Sequence, residues 1–251
     1  MNKVFAVMMV KDEIDIIGHN IEYLETQDID HIFVANNLST DGTREKLIEL
    51  SEKYDNITVY DDNEFAYYQP DKMNEWILRC YKMGASIIIP IDADEIWHSK
   101  VKGKTLGQIL KESDGDIFVA ETIDFIPTEK DTDDINPIKS MCYRKEKSDS
   151  FPSVAFRKFP GSYLEIGNHN IMNHPGKRVE DLIGIRHYQY RSFEQFYKKV
   201  INGKKVYDDT SYPDYMGSHW RNLGSKSEDD LRQWWNNYIK QPVEYCPFNY
   251  V

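Results

Sequence analysis

The chain has little sulfur to build with: three cysteines in 251 residues, Cys80, Cys142 and Cys246, odd in number and with no C-x-x-C pair. That scarcity excludes a disulfide framework or a thiolate zinc site and fits a reducing, cytoplasmic setting. Long apolar runs are missing too. The first one, Val4 to Val10, is too short to span a bilayer and meets Lys11, Asp12 and Glu13 without a small-residue cleavage site, so it reads as a strand. Positive charge is in deficit, 31 Lys and Arg against 42 Asp and Glu, for a formal net charge of -11. This argues against a protein devoted to nucleic acid or to an anionic membrane, although a peripheral contact with the inner face of a membrane stays open. Neither G-x-G-x-x-G nor G-x-x-x-x-G-K-S/T occupies the first strand-helix turn. A nucleotide bound here must be held in another way.

What is present is concentrated in one stretch. Ile87-Ile88-Ile89-Pro90-Ile91 reads as a strand buried on both faces, and Asp92-Ala93-Asp94-Glu95 follows with three carboxylates in four residues. Strand alternation carried past Ile91 sets Asp92 and Asp94 on one side and Ala93 on the other. Paired hard oxygen ligands suit Mn²⁺ or Mg²⁺, which would bridge to the phosphates of a nucleotide. Upstream, apolar strands alternate with helical spacing: Val4 to Val10, then Ile14, Ile17, Ile21 and Leu24; His31 to Ala35, then Leu47, Ile48 and Leu50, with Thr40 or Asp41 as cap; Ile57 to Tyr60, then Trp76, Ile77, Cys80 and Tyr81, stopped by Gly84. The pattern predicts an α/β fold with a mainly parallel, doubly wound sheet, whose ligands bind beyond the carboxyl ends of the strands. Lys11-Asp12-Glu13, Asn36 to Asp41, Asp61-Asp62 and Asp92-Ala93-Asp94 then face one crevice.

Val34-Ala35-Asn36-Asn37-Leu38-Ser39-Thr40-Asp41-Gly42-Thr43, followed by Ile91-Asp92-Ala93-Asp94-Glu95 and preceded by Val10-Lys11-Asp12-Glu13-Ile14, resembles glycosyltransferase family 2, in its short bacterial branch, over about the first hundred residues. The resemblance implies a GT-A fold in one domain spanning 1–251: residues 1–100 as the nucleotide-sugar half, 101–251 as a small β-rich acceptor half with C-terminal helices. It implies a nucleoside diphosphate sugar as donor, held by Lys11, Glu13, Asn37, Asp62, Lys72 and Asp92, and an inverting transfer to a hydroxyl of a glycan or lipid-linked acceptor in surface polysaccharide or glycoconjugate synthesis. The family's Asp-Asp-Gly is Asn36-Asn37-Leu38 here; an amide both donates and accepts, which changes what it selects.

Past Glu95 the pattern becomes irregular: a short helix around Leu106, Ile109 and Leu110, a strand from Asp116 to Phe125, a Pro127 to Pro137 loop that reads as mobile, then short β segments, among them Ser153 to Phe159 and Tyr163 to Ile166. His187 ends the apolar segment Leu182 to Ile185 just before Ser192-Phe193-Glu194-Gln195, a capping-box signature. That placement makes it the third metal ligand beside Asp92 and Asp94, ahead of His169 and His219. The base that takes the acceptor's proton is sought among Glu121, Asp124, Glu165 and His169, with His169 and Glu165 preferred because the acceptor half follows the donor half. Lys198, Lys199, Lys204 and Lys205 read as a solvated helix face, with contact to a diphosphate or an anionic acceptor lipid by these lysines, Arg186 and Arg191 as the alternative. Trp220, Trp234, Trp235, Tyr238, Tyr245, Phe248 and Tyr250 make an aromatic tail open to core packing, a dimer contact or sugar stacking. Two rival readings are a haloacid-dehalogenase-type phosphatase, which also places D-x-D after a strand, and a sugar-binding protein without turnover.

Overall fold

Apolar strands and amphipathic helices alternate through the first ninety-odd residues because each strand needs both faces covered. In a computed structural model describing residues 2–147 and 150–248, β1 (Val4–Val10), α1 (Ile17–Leu24), β2 (His31–Asn37), α2 (Thr43–Lys53), β3 (Ile57–Asp62), α3 (Gln69–Lys82) and β4 (Ile87–Asp92) follow in that order. β1 pairs in parallel with β2 and β4, and β2 with β3. The chain continues through β5 (Glu95–Ser99), α4 (Leu106–Glu112), β6 (Ile117–Asp124), α5 (Pro137–Ser140), β7 (Tyr143–Lys145), β8 (Ser153–Arg157), β9 (Tyr163–Leu164), β10 (Ile171–Met172) and β11 (Arg178–His187). α6 (Phe193–Asp208), α7 (Ser218–Gly224), α8 (Glu228–Tyr238) and β12 (Val243–Tyr245) complete the described chain.

The sheet order is β3-β2-β1-β4-β8-β6-β11-β5. β8 runs antiparallel between β4 and β6, β11 lies parallel to β6, and β5 closes the edge antiparallel to β11, so the sheet is mainly parallel as the sequence pattern predicts. Period-2 alternation distributes β1 between two cores. Val4, Ala6, Met8 and Val10 pack with Ile17, Ile21 and Leu24 of α1 and Leu47 and Leu50 of α2, while Phe5 and Val7 pack with Met73, Trp76 and Ile77 of α3. Ile87, Ile89 and Ile91 of β4 join the first core and Ile88 the second.

Local signals set where the elements stop. Gly84 takes φ 103°, and the Ala85 and Gly84 amides reach back to the Cys80 and Tyr81 carbonyls at 3.0 and 3.3 Å, the paired bonds of a Schellman C-cap. α2 begins later than its expected cap. Gly42 at φ 99° precedes it, and Asp41 Oδ1 accepts from the Thr43 amide at 2.9 Å. Ser192 accepts from the Gln195 amide at 3.1 Å as the capping signature predicts, but the Gln195 side chain answers the amide of Arg191 instead of Ser192. The tail aromatics form a core of their own: Phe196 of α6 is fully buried, with Trp234 stacked on it at 4.8 Å and Tyr190 edge-on at 4.9 Å. Core packing accounts for Trp234, Trp235 and Tyr238; Phe248 packs edge-on against Tyr23, and Tyr250 lies outside the described residues.

Candidate active site

β4 ends at Asp92, and the register of the parallel strands brings the ends of β1, β2 and β4 to one rim. A cavity of about 1210 Å³ opens there, with Lys11, Glu13, Asn37, Asp92, Asp94 and His187 in its walls. This is where ligands of open α/β sheets bind. The sheet turns sharply after β4 so that β5 can run back along β11, which sets His187 opposite both Glu95 and Asp124. Ala93 packs with the core of β1, α1 and α2, at the floor of the cavity that Asp92, Asp94 and Glu95 also line.

His187 and Asp94 approach each other, Nε2 to Oδ1, at 3.8 Å. His187 Nδ1 lies 2.8 Å from Asp124 Oδ1, and Asp124 also accepts from Lys145 at 2.9 Å and Ser150 at 2.8 Å. An Nδ1–H donated to this carboxylate leaves Nε2 as the nitrogen presented to a ligand. Burial opposes the imidazolium, but the Asp124 hydrogen bond and the Asp94 charge outweigh it and lift the His187 pKa to about 9. Asp92 is different. Burial, reinforced by the Asp94 charge, raises its pKa to about 6, and Asn168 donates to its Oδ1 at 3.0 Å. Asn168 is itself in the left-handed region, φ 63°, and takes the Gln69 amide on its Oδ1 at 2.9 Å, so a side chain from the second half is braced against the strand-end acidic motif of the first.

α6 crosses over the site. Lys199 stands between two carboxylates, 2.5 Å from Asp94 Oδ2 and 2.8 Å from Glu13 Oε1, and Arg191 bonds the other Glu13 oxygen as well as Asp15. Burial opposes ionisation of Asp94, yet Lys199, His187 and Arg191 together hold its carboxyl below the usual carboxylate range. Asn202, one turn on, reaches Asp12 Oδ2 at 3.3 Å. The solvated-face reading of the basic stretch therefore fails for Lys199, which turns inward. Arg186 is buried between the Phe125 and Phe248 rings and bonds the Cys246 carbonyl, so its role is to hold the tail.

The donor residues read from the sequence arrive in two groups. Lys11, Glu13, Asn37 and Asp92 line the cavity, whereas Asp62 and Lys72 stand behind Asn37, paired at 2.7 Å. The Asn37 amide donates to Asp62 Oδ2 at 2.8 Å and to the Glu64 carbonyl at 2.6 Å, and Lys11 Nζ to the Asn37 and Leu38 carbonyls at 3.0 and 3.1 Å. His169 lines the cavity with its Nδ1 3.1 Å from the Pro152 carbonyl, and burial lowers its pKa, which favours the neutral imidazole a base needs. Glu165 faces a neighbouring, smaller cavity instead. Glu121 is exposed and pairs with Lys100 at 3.0 Å, and Asp124 serves His187; neither is offered to an acceptor.

Whether these residues suit a divalent cation is answered by their spacing and chemistry. Among the described residues no three His, Cys, Asp or Glu side chains are assembled around a single point, and the ammonium of Lys199 sits on Asp94. Donors to one octahedral cation at about 2.1 Å lie about 3 Å apart when adjacent and about 4 Å when opposite. The 3.8 Å between His187 Nε2 and Asp94 Oδ1 falls within that span, and the oxygen and imidazole donors with Asp124 behind the ring suit Mn²⁺ or Mg²⁺. Sequence reasoning placed Lys199 in the site only as its second reading and missed Asn168. For Lys199 a signal was available: Gln195, Lys199, Asn202 and Val206, spaced at i, i+4, i+7 and i+11, form one helix stripe, and all four line the cavity.

No family model matches the chain, and no curated protein matches it. Among solved structures it is similar to the mannosyltransferase PcManGT from Pyrobaculum calidifontis in complex with GDP-Man and Mn²⁺, at 14% identity over 94% of this chain and 73% of that one, with a TM-score of 0.48. TarS from S. aureus in complex with UDP is 13% identical over 92% of this chain and 78% of its own, TM-score 0.43. Glucosyl-3-phosphoglycerate synthase from Mycobacterium tuberculosis, in complex with Mn²⁺, UDP and phosphoglyceric acid, is 17% identical over 49% of this chain and 43% of its own, TM-score 0.33. At such identities and scores no ligand of this chain follows from these likenesses.

Proposed function

We propose that the chain is a glycosyltransferase of the GT-A type, which moves a sugar from a nucleoside diphosphate sugar to an acceptor hydroxyl with inversion. The observation that carries the reading is the convergence of Asp92, Asp94 and His187 on a spacious cavity at the strand ends, with ammonium groups of Lys11 and Lys199 beside them. A bound Mn²⁺ or Mg²⁺ supplies charge that stabilises the leaving diphosphate, and Asp92, Asp94 and His187 are the residues that would hold it. Lys11 and Lys199 add positive charge for the diphosphate once Lys199 leaves Asp94. Glu13, Asn37, Asp62 and Lys72 shape the nucleoside end; the last two act through Asn37.

In the transfer the acceptor oxygen bonds the anomeric carbon, the bond from that carbon to the diphosphate oxygen breaks, and the hydroxyl proton passes to a base. His169, neutral and on the wall shared with the second cavity, is the base this geometry favours; Glu165 beside it hydrogen-bonds the acceptor. The products are the glycosylated acceptor, the nucleoside diphosphate and one proton. The phosphatase reading expects its D-x-D motif to continue to Thr or Val, whereas here Glu95-Ile96-Trp97 follows Asp94. No helix among the described residues is long and apolar enough to cross a membrane; a cytoplasmic setting, with or without peripheral contact at the membrane, is part of the proposal. Product analysis tests the whole: incubation with UDP- and GDP-sugars and Mn²⁺ releases the nucleoside diphosphate, with the sugar on water or acceptor. Phosphate release from a monoester, with every sugar nucleotide left intact, overturns it.

A further inference from the structure

A second cavity, of about 620 Å³, adjoins the first and shares Phe151, Ile166, His169 and Met216 with it. Both are rich in carboxylates, but they differ in cations. Lys11, Lys198 and Lys199 stand among the acidic groups in the walls of the first, whereas among the described residues no lysine or arginine lines the second, whose charged groups are Asp71 and Glu165. Tyr212, also in the groove wall, donates its hydroxyl to Asp71 Oδ2 at 3.1 Å. Phe151 is 72% exposed and Tyr163 47% exposed, so both flanks of the groove carry aromatic surface left open by the described residues. His169 packs against Phe151 with ring centroids 5.4 Å apart and planes tilted by 47°, which ties this surface to the proposed base.

We infer that the second cavity binds the acceptor as an uncharged glycan, its sugar rings laid on Phe151 and Tyr163 and its hydroxyls bonded to Asp71 and Glu165. Sugar rings present weakly apolar C–H faces that pack on aromatic rings, and carboxylates accept hydroxyl protons. The same two carboxylates repel a phosphate, and no cation lines the groove to offset that cost. The acceptor therefore bears no phosphate on the sugar units next to the attacking hydroxyl, and the reaction that supplies it is another glycosyl transfer, one that leaves a neutral chain end. This rests on the glycosyltransferase reading for the hydroxyl's fate but not for the binding itself.

Saturation-transfer NMR on the intact protein tests it with neutral tetrasaccharides of glucose, mannose, galactose and N-acetylglucosamine, and with the same sugars carrying a terminal phosphate. A neutral chain is expected to bind at least tenfold more tightly than its phosphorylated counterpart. Phe151→Ala and Tyr163→Ala are each expected to weaken it by about tenfold; both side chains are largely exposed, so the fold tolerates their loss. Equal or tighter binding of the phosphorylated chains, no binding of any neutral chain, or wild-type affinity in both variants overturns the inference. UDP and GDP binding with Mn²⁺, measured on the same wild-type sample, reports separately on the donor reading.

Discussion

Replacing Lys199 by Met keeps the aliphatic stem and removes only the charge, so the response reads what the ammonium does. In the metal-free protein it neutralises Asp94, whose side chain is 5% exposed, at 2.5 Å, and shares Glu13 with Arg191. Removing one partner of a buried pair costs about 3–5 kcal/mol, because the other charge is left uncompensated. Arg191 still holds Glu13 and His187 still faces Asp94, so the lower end, about 3 kcal/mol, is expected. For a chain of this length that is a fall of roughly 6–12 °C in Tm. A divalent cation bound at Asp94 supplies the missing charge. In the variant it meets no ammonium to displace, so Mn²⁺ should bind more tightly than in the wild type and restore about 2.7 kcal/mol at a hundred times its Kd. Calorimetry of both proteins, with chelator and across a Mn²⁺ series, decides it. A variant that melts with the wild type in chelator, or Mn²⁺ shifts of equal size in the two proteins, refutes the placement of a cation at Asp94.

Other residues carry their own tests. In chelator, the protonated His187, its pKa lifted from 6.5 to about 9, contributes on the order of 3 kcal/mol in full below pH 6.5, and this is lost as pH rises through about 9. The Tm gap between wild type and His187→Gln should therefore narrow over that interval; a gap that widens contradicts the assignment. Asp124→Asn removes the carboxylate that orients His187 and is expected to weaken Mn²⁺ binding by about 10- to 100-fold in a manganese EPR titration, as is His187→Ala, while His169→Ala lowers turnover with Mn²⁺ affinity unchanged. If His169→Ala loses the metal and His187→Ala keeps it, the wrong histidine carries the role. Phe196→Ala, emptying the centre of the Trp234 and Tyr190 cluster, should cost about 3–5 kcal/mol in urea unfolding, and a cost near zero would mean the tail helices do not depend on that core.

The first half was legible because parallel strands buried on both faces write themselves as apolar runs, and because a doubly wound sheet puts its strand ends together. Asp92, Asp94 and Glu13 were assigned to the crevice from that rule together with the family resemblance. His187 was found from an apolar segment ending at a capping signature, although the pairing of β11 with both β5 and β6 is long-range and has no local trace. Lys199 was read as solvated first because charge at helical spacing most often is; the stripe it shares with Gln195, Asn202 and Val206 marks its face, but the carboxylate it meets 105 positions earlier leaves no local trace. Asn168 escaped for the same reason: its left-handed backbone and its bonds to Asp92 and Gln69 join segments 76 and 99 residues apart. The tail aromatics left packing and stacking equally open, and only the burial of Phe196 between helices decides for packing.

The most direct test of the account is titration of nucleoside diphosphates into wild type and Asp94→Asn by isothermal calorimetry, with Mn²⁺ and with excess chelator. The account predicts that UDP or GDP binds the wild type in Mn²⁺ and is lost or weakened at least a hundredfold in chelator, and that Asp94→Asn, folded by circular dichroism, binds poorly in both. Tight binding that ignores the chelator, or that survives Asp94→Asn at wild-type strength, would contradict the claim that the strand-end carboxylates hold a cation for the donor diphosphate.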